Sequence, residues 1–191
     1  MKKILSLLLV ALMAIGVNAG NGNKTVTGGP YKVGDYYNDG TKEGIVFVVY
    51  NGGYHGKIVS VDESYEQWAI PGADEIRTNA TSDNGGMSNM RKIMKQPNWK
   101  KNYPAFAWCA SLGSGWYLPA LDELLLIYNN KSVINKTLDR IGYGEIKKGY
   151  VDFWSSTECN AWSAYDISMS NGNNSNGVKY ISAYVRAVAA F

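Results

Sequence analysis

The sequence has little of what most catalytic and metal sites are built from. It contains one histidine, His55, and two cysteines, Cys109 and Cys159, among 191 residues. One histidine and two distant cysteines cannot supply a zinc site of the usual kind. A phosphate-cradling Gly-Lys-Ser/Thr element and a dinucleotide-binding glycine fingerprint are also absent from the sequence. We therefore expect no metal, no cofactor and no enzymatic activity.

Three carboxylate pairs give only weak support to a glycosidase: Asp62-Glu63, Asp74-Glu75 and Asp122-Glu123. An enzyme stays open as an alternative through the chemistry of Cys109. The last pair fits the first turn of a helix, and we expect the other two to lie in solvent. His55 has no Ser/Asp motif around it, which argues against a catalytic base. The two cysteines suffice for one disulfide in an exported protein, but nothing in their spacing brings the thiols together.

The N-terminus lacks acidic residues and carries an export pattern. Lys2 and Lys3 precede an apolar run over 4–17, and Val17-Asn18-Ala19 offers small residues for cleavage. We predict a signal peptide over residues 1–19 and a periplasmic, cell-surface or secreted protein. The alternative is a retained N-terminal anchor; no cysteine at the cleavage point supports a lipoprotein, and no membrane span is expected after cleavage.

The chain also lacks an excess of charge of either sign. Cleavage after Ala19 removes two of the 19 basic residues and none of the 16 acidic ones, which leaves a net charge of about +1. A nearly neutral chain has no basic stripe to follow phosphates, so nucleic acid is not an expected partner. The oligomeric state stays open.

Strand patterns come first along the chain, after a flexible leader over 20–30. β-branched and aromatic residues alternate from Tyr31 to Tyr37, over 44–50 and over 55–61, and Asn38-Asp39-Gly40 and Asn51-Gly52-Gly53 separate them as turns. The length that remains fits a single domain over 31–191.

Helical patterns follow the first strands. Apolar residues recur at helical spacing in four stretches: 87–94, 104–112, 121–128 and 134–141. Pro104, Pro119, Gly113 and Gly142 mark their ends. Strand patterns return after Tyr150, so the fold class is α+β.

The segment from Asn160 to Tyr184 changes in character, because 15 of its 25 residues are Asn, Ser, Gly or Tyr and only Asp166 and Lys179 carry charge. Such a composition is typical of binding surfaces with aromatic anchors and short polar groups. Alternation predicts Tyr165, Ile167 and Met169 inside and Asp166, Ser168 and Ser170 outside, then a polar turn over 171–177 and a return strand over 178–182. The outward residues of both arms would then share one face.

From this pattern we predict a ligand-binding face over about 159–182 that grips a protein or cell-surface ligand. Its residues are Asn160, Trp162, Ser163, Asp166, Ser168, Ser170, Asn171, Asn173, Asn174, Asn176, Tyr180 and Ser182. The alternative is that 170–177 is simply a polar, mobile hairpin loop.

Three motifs stand in order in the C-terminal half: Gly115-Trp116-Tyr117-Leu118-Pro119, then Phe153-Trp154-Ser155-Ser156-Thr157-Glu158, then the chain end Tyr184-Val185-Arg186-Ala187-Val188-Ala189-Ala190-Phe191. Together they resemble bacterial C-type-lectin-like domains, in particular the variable proteins of diversity-generating retroelements. The likeness covers roughly Tyr31 to Phe191.

The resemblance implies a C-type-lectin-like fold in which twisted antiparallel strands pack on two main helices and the C-terminal strand runs through the centre. It places Trp116, Trp154, Arg186 and Phe191 in the core, and the buried Arg186 then needs Glu158 or Glu123 as its partner. The formylglycine-generating enzymes share this broad fold and use cysteine chemistry, but Cys109 falls on a predicted apolar helix face, which is typical of a small core residue.

In the retroelement family, adenines of a template copy are mutated, so Asn codons change to Tyr, Ser, Asp and other residues. The positions that match this pattern are the twelve named above except Trp162, together with Cys159 and Val178. A fixed adhesin or surface-fibre subunit on the same fold is the alternative. The Glu-Pro-Asn and Gln-Pro-Asp motifs of calcium-dependent sugar-binding lectins do not occur.

Overall fold

The computed structural model describes residues 28–146 and 151–191. The proposed signal peptide and most of the 20–30 leader lie outside the described residues. The strands are β1 Tyr36–Asn38, β2 Glu43–Tyr50, β3 His55–Ser60, β4 Ser64–Gln67, β5 Asp152–Glu158, β6 Ser163–Ser168, β7 Asn174–Val178, β8 Ser182–Val185 and β9 Val188–Ala190. The helices are α1 Gly86–Ile93, α2 Trp99–Asn102, α3 Pro104–Ser111, α4 Leu121–Asn129 and α5 Lys131–Arg140.

The first sheet has the strand order β1-β2-β3-β9 and is antiparallel throughout. The turn between β1 and β2 forms where the sequence predicts it, because the Asp39 carboxylate accepts the N–H groups of Thr41 and Lys42 and Gly40 takes a positive φ of 86°. The Asn51-Gly52-Gly53 turn joins β2 to β3. The strand-turn-strand order predicted for this part of the chain is confirmed, but the first strand covers only Tyr36–Asn38 and does not begin at Tyr31.

The second sheet has the order β4-β8-β5-β6-β7. Its pairs are antiparallel except for β5 and β8, which run parallel and meet at Phe153 and Tyr184. Two sheets with helices between the first and second groups of strands make the chain α+β, as predicted.

The helical patterns identify α1, α3, α4 and α5, whereas the short α2 is missed. The expectation of two main helices is wrong, because α1, α3, α4 and α5 have comparable lengths of eight to ten residues. The buried Glu123 explains why α4 begins where it does: its carboxylate reaches back to the N–H of Ala120 at 2.9 Å. The same carboxylate accepts the Tyr117 hydroxyl and pairs with Lys57.

The C-terminal chain does not form the one central strand that the resemblance implies. It leaves the second sheet after β8 and enters the first sheet at β9, so it joins the two sheets. The crossing is held at Ser60, whose hydroxyl accepts the N–H of Ala187 and whose N–H donates to the Ala187 carbonyl. Both faces of this segment are covered, so its side chains are mostly apolar on both sides. Arg186 is its one charged residue.

Arg186 is buried as predicted, but its predicted partners are wrong. Its guanidinium pairs with Glu63 at 3.1 Å and donates to the carbonyls of Ser60, Val61 and Gly144. Glu158 and Glu123 are engaged elsewhere, because each already neutralises a lysine. Burial lowers the pKa of Arg186, while the Glu63 charge acts in the opposite direction.

The predicted aromatic core is confirmed. Trp116 and Trp154 are buried, and the half-buried Phe191 packs against the rings of Tyr31 and Tyr37. No helix within the two described ranges has the length and apolar character that a bilayer crossing requires.

Candidate ligand-binding surface

The proposed face lies at one edge of the second sheet. β6 and β7 form a hairpin whose register pairs Ser163 with Val178 and Ile167 with Asn174. The return strand is therefore 174–178, and the prediction of a return strand over 178–182 is wrong. Asn and Gly are depleted in strands, so the composition of 174–177 favoured a turn, whereas pairing with β6 makes this segment a strand.

The predicted site residues divide by burial into three groups. Those that stand in solvent are Trp162, Ser170, Asn171, Asn173, Asn174, Asn176 and Tyr180. Those that are half-buried are Asn160, Ser168 and Ser182. Ser163 and Asp166 are buried, so their place on an outward face is a wrong prediction.

Asp166 is buried because both faces of β6 are covered at this point of the sheet. Asp166 is paired with Trp154 of the neighbouring strand β5, so the two side chains lie on the same side of the sheet. The Asp166 carboxylate accepts the Ser175 hydroxyl at 2.5 Å. Burial raises the pKa of Asp166 above its ordinary value of 3.8, and the hydrogen bond from Ser175 opposes that rise. The neighbours Ile167 and Met169 are buried as predicted, whereas Tyr165 is half-buried.

Ser168 and Ser182 do not share a face. Phe153 pairs with both Ile167 and Tyr184, so Ser182 lies on the Ile167 side of the sheet. Successive residues of a strand point to opposite sides, and Ser168 therefore lies on the other side. The outward residues of the two predicted arms, 163–170 and 178–182, were expected side by side on one face. This expectation is wrong, because Ser182 belongs to β8, which is separated from β6 by β5.

The buried Lys179 anchors the end of the hairpin. Its side chain has no exposed area, and its ammonium donates to Glu158 at 2.8 Å and to the carbonyls of Ala161 and Ile76 at 2.6 and 3.2 Å. These acceptors use all three of its protons. The ammonium also stands 4.7 Å from the centre of the Trp68 ring. Burial lowers the pKa of Lys179, and the bond to Glu158 counteracts this.

The Glu158 carboxylate is equally well satisfied. It accepts the N–H groups of Thr78 and Asn79 at 2.9 and 2.8 Å, and the Arg77 guanidinium approaches it at 3.6 Å. The network thus connects the 68–80 loop, the end of β5 and the end of β7. Sequence reasoning missed it, although a single lysine in a segment otherwise nearly free of charge was an available signal.

Four exposed apolar residues are adjacent to the anchored lysine along the backbone. Trp162 is 62% exposed, Ile181 54%, Tyr180 44% and Val178 41%. The backbone holds them together, because the Lys179 N–H donates to the Trp162 carbonyl and the Ile181 N–H to the Val178 carbonyl. We call these four residues the apolar patch. The prediction included only Trp162 and Tyr180 of its members.

The two cysteines are free. Cys109 is buried in α3, and burial raises the pKa of its thiol well above the ordinary value, so it is a core residue as predicted. Burial also opposes ionisation of Cys159, but hydrogen bonds with Tyr165 and Asn176 lower its pKa overall. In the described parts of the chain no group of three or more His, Cys, Asp or Glu side chains is arranged to hold a metal ion.

Three of the six residues in the carboxylate pairs have structural roles. Glu63 pairs with Arg186, and Glu123 caps α4. Asp74, which was expected in solvent, is buried and accepts the Gly72 N–H in a turn. Each of these three carboxylates has a partner within the fold.

Replacement of Asp166 by Asn tests the cost of its buried carboxylate. The favourable contribution of the neutral carboxyl is present below about pH 3.8 and is lost as the pH rises through the raised pKa of the folded state. We expect Asp166→Asn, which keeps an acceptor for Ser175 and cannot ionise, to gain stability relative to the wild type between about pH 3 and about pH 7. Urea unfolding at both pH values measures this.

The matched control is Asp139→Asn on the exposed face of α5. Its effect on the free energy of unfolding should stay below about 0.5 kcal/mol at both pH values. A stability difference for Asp166→Asn that does not change with pH would show that the carboxylate is not penalised by its surroundings.

Comparison with known proteins finds a structure of similar fold but identifies no family. No protein-family model matches the sequence, and no curated protein matches it. The crystal structure of a fimbrial protein from Bacteroides ovatus ATCC 8483 is similar, with a TM-score of 0.57 and 18% sequence identity over 72% of this chain. The chain corresponds to 36% of the length of that protein, and at this identity the likeness concerns the fold alone.

Proposed function

We propose that the chain is an exported adhesin-like protein that binds a protein or cell-surface ligand through the apolar patch and the polar hairpin beside it. The observation that carries this proposal is the apolar patch itself: a Trp, a Tyr and two aliphatic side chains stand in solvent on a backbone fixed by the buried Lys179. Exposed apolar clusters rimmed by polar residues are typical of interaction sites.

The chemistry of the surface supports binding rather than catalysis. Trp and Tyr contribute large contact areas with few rotatable bonds, and they dominate the binding energy of many interfaces. The exposed Ser170, Asn171, Asn173 and Asn174 supply short polar groups at the rim. An anchored backbone loses less conformational entropy when a ligand binds, which favours affinity.

The sequence motifs support a relationship to bacterial C-type-lectin-like domains, and the N-terminal pattern supports export. The fimbrial fold neighbour is consistent with a role at the cell surface. That neighbour also favours the second candidate, a fixed subunit of a surface fibre. A fibre subunit would use its surface for assembly and would need no separate ligand.

Removal of the two aromatic members of the apolar patch tests the first candidate. We expect Trp162→Ser and Tyr180→Ser each to weaken ligand binding by about 30-fold, or about 2 kcal/mol, because each removes an anchor from the centre of the contact. The probe is an array of immobilised extracellular-matrix proteins and cell-surface glycans, on which wild type and variants are compared.

The matched control is Tyr54→Ser, because Tyr54 is 60% exposed but lies in the turn between β2 and β3 on the other sheet. It should bind like the wild type. If all three variants bind equally, the apolar patch is not the binding site. If the wild type binds nothing on the array but assembles into fibres, the second candidate is correct.

We further propose that the surface is diversified by a retroelement, and the structure makes this testable in a specific form. Variation between sibling strains should fall on exposed positions such as Asn171, Asn173, Asn174, Asn176 and Tyr180. Lys179 should not vary, because the buried Glu158 would lose its buried partner and keep only the half-exposed Arg77 at 3.6 Å. Sequencing of the locus measures this; a genome without a reverse transcriptase and without an adenine-rich copy of the segment would contradict diversification and leave the binding proposal intact.

A further inference from the structure

The methionines of this chain are concentrated in one short stretch. Two of the six, at positions 1 and 13, belong to the proposed signal peptide, and three of the other four are Met87, Met90 and Met94. Their spacing places them on neighbouring turns of α1 and at its end. Methionine side chains are unbranched and adapt their shape, and they are common on surfaces that bind apolar partners.

The three methionines line a groove with a volume of about 490 Å³. Ala110 at the end of α3 and the segment 113–116 supply the rest of its lining. Met90 and Trp116 are almost fully buried, whereas Met94 is exposed and Met87 half-buried. The groove therefore has an apolar interior that reaches the surface, and its volume is in the range of small-molecule sites, about 300–1,000 Å³.

Arg91 is the one charged residue among the described residues that line this groove. It is exposed, and within 28–146 and 151–191 its guanidinium has no hydrogen-bond or ion-pair partner. A second cation, Lys42, lies beside Gly115 of the same lining. The stretch 84–121 contains five basic residues and no acidic one. An apolar groove with a free cation in its lining is complementary to an apolar molecule that carries an anion.

The chemistry of arginine narrows the class of anion. The planar guanidinium pairs with a carboxylate through two parallel hydrogen bonds, and one guanidinium neutralises one negative charge. We propose that the groove binds a small carboxylate with an apolar tail, of the fatty-acid type. The tail lies against the methionines and Trp116, and the carboxylate pairs with Arg91. The groove shares no residue with the apolar patch, so this proposal does not rest on the proposed function.

Arg91 also has a structural role that the experiment must separate from ligand binding. It stands in the last turn of α1, where a cation stabilises the helix through its dipole. Arg140 occupies the corresponding place in the last turn of α5 and is exposed as well, but it does not line the groove. The same substitution at the two positions therefore removes the same charge and the same helix contact, and only one of the two removes the proposed ligand contact.

The methionine methyl groups are the reporters of binding. In the mature chain labelled with ¹³C at these methyl groups, NMR titration with octanoate should shift Met87, Met90 and Met94 in a saturable way. We expect a dissociation constant on the order of 1 mM or tighter. Met169 is fully buried outside the groove, so its methyl signal should stay unchanged.

Substitutions of Arg91 test the role of the charge. We expect Arg91→Gln to bind octanoate about five- to tenfold more weakly, because the charge-assisted hydrogen bonds are lost, and to bind the neutral octan-1-ol like the wild type. Arg140→Gln is the matched control and should bind octanoate like the wild type. Arg91→Glu should reverse the preference, so that octylammonium binds more tightly than octanoate.

Several results would overturn the proposal. One is the lack of a saturable shift of the three methyl groups up to about 10 mM octanoate. Another is an equal shift of Met169, because binding would then not be confined to the groove. A folded Arg91→Gln that binds octanoate as tightly as the wild type, or an Arg91→Glu that still prefers octanoate, would contradict the assigned pairing with Arg91.

Discussion

The surface at the C-terminal end of this protein depends on one buried ion pair, Lys179 with Glu158. A buried pair is costly to desolvate and is favourable only when every remaining hydrogen-bonding group is satisfied. Here the ammonium has three acceptors, and the carboxylate accepts two backbone N–H groups of the 78–79 turn. The pair therefore serves to hold distant segments in one arrangement. The exposed Trp162 and Tyr180 stand on backbone that this arrangement fixes.

The same principle recurs twice elsewhere in the molecule. Glu123 joins Lys57 of β3 to the start of α4, and Arg186 joins Glu63 to the crossing between the two sheets. In each case a buried charge satisfies backbone groups that would otherwise be left without a partner where the chain leaves a regular element. These buried charged side chains thus stabilise the places where the chain leaves a helix or strand, and the exposed hairpin is nearly free of charge. An uncharged, anchored and partly apolar surface is suited to contact with another macromolecule.

Structural features that depend on neighbouring residues were predicted well, whereas contacts between distant residues were not. The turns at Asn38-Asp39-Gly40 and Asn51-Gly52-Gly53 were correct because Asp39 and the glycines determine their conformation within a few residues. The four longer helices were correct because spacing and flanking Pro and Gly are local as well. The split of 182–190 between two sheets and the ion pairs of Arg186 and Lys179 depend on residues 21 to 123 positions away. The burial of Asp166 was missed because alternation predicts an outer face only where one side of a sheet is open.

Hydrogen exchange measured by mass spectrometry on wild type and Lys179→Met tests the anchoring role of the ion pair most directly. We expect faster exchange in 160–163 and 178–182 of the variant, with unchanged exchange in β1, β2 and β3, because only the anchor of the hairpin is lost. Lys136→Met, at an exposed position of α5, is the control and should exchange like the wild type. Exchange in 160–163 and 178–182 that is unaffected by Lys179→Met would contradict the claim that this pair fixes the surface.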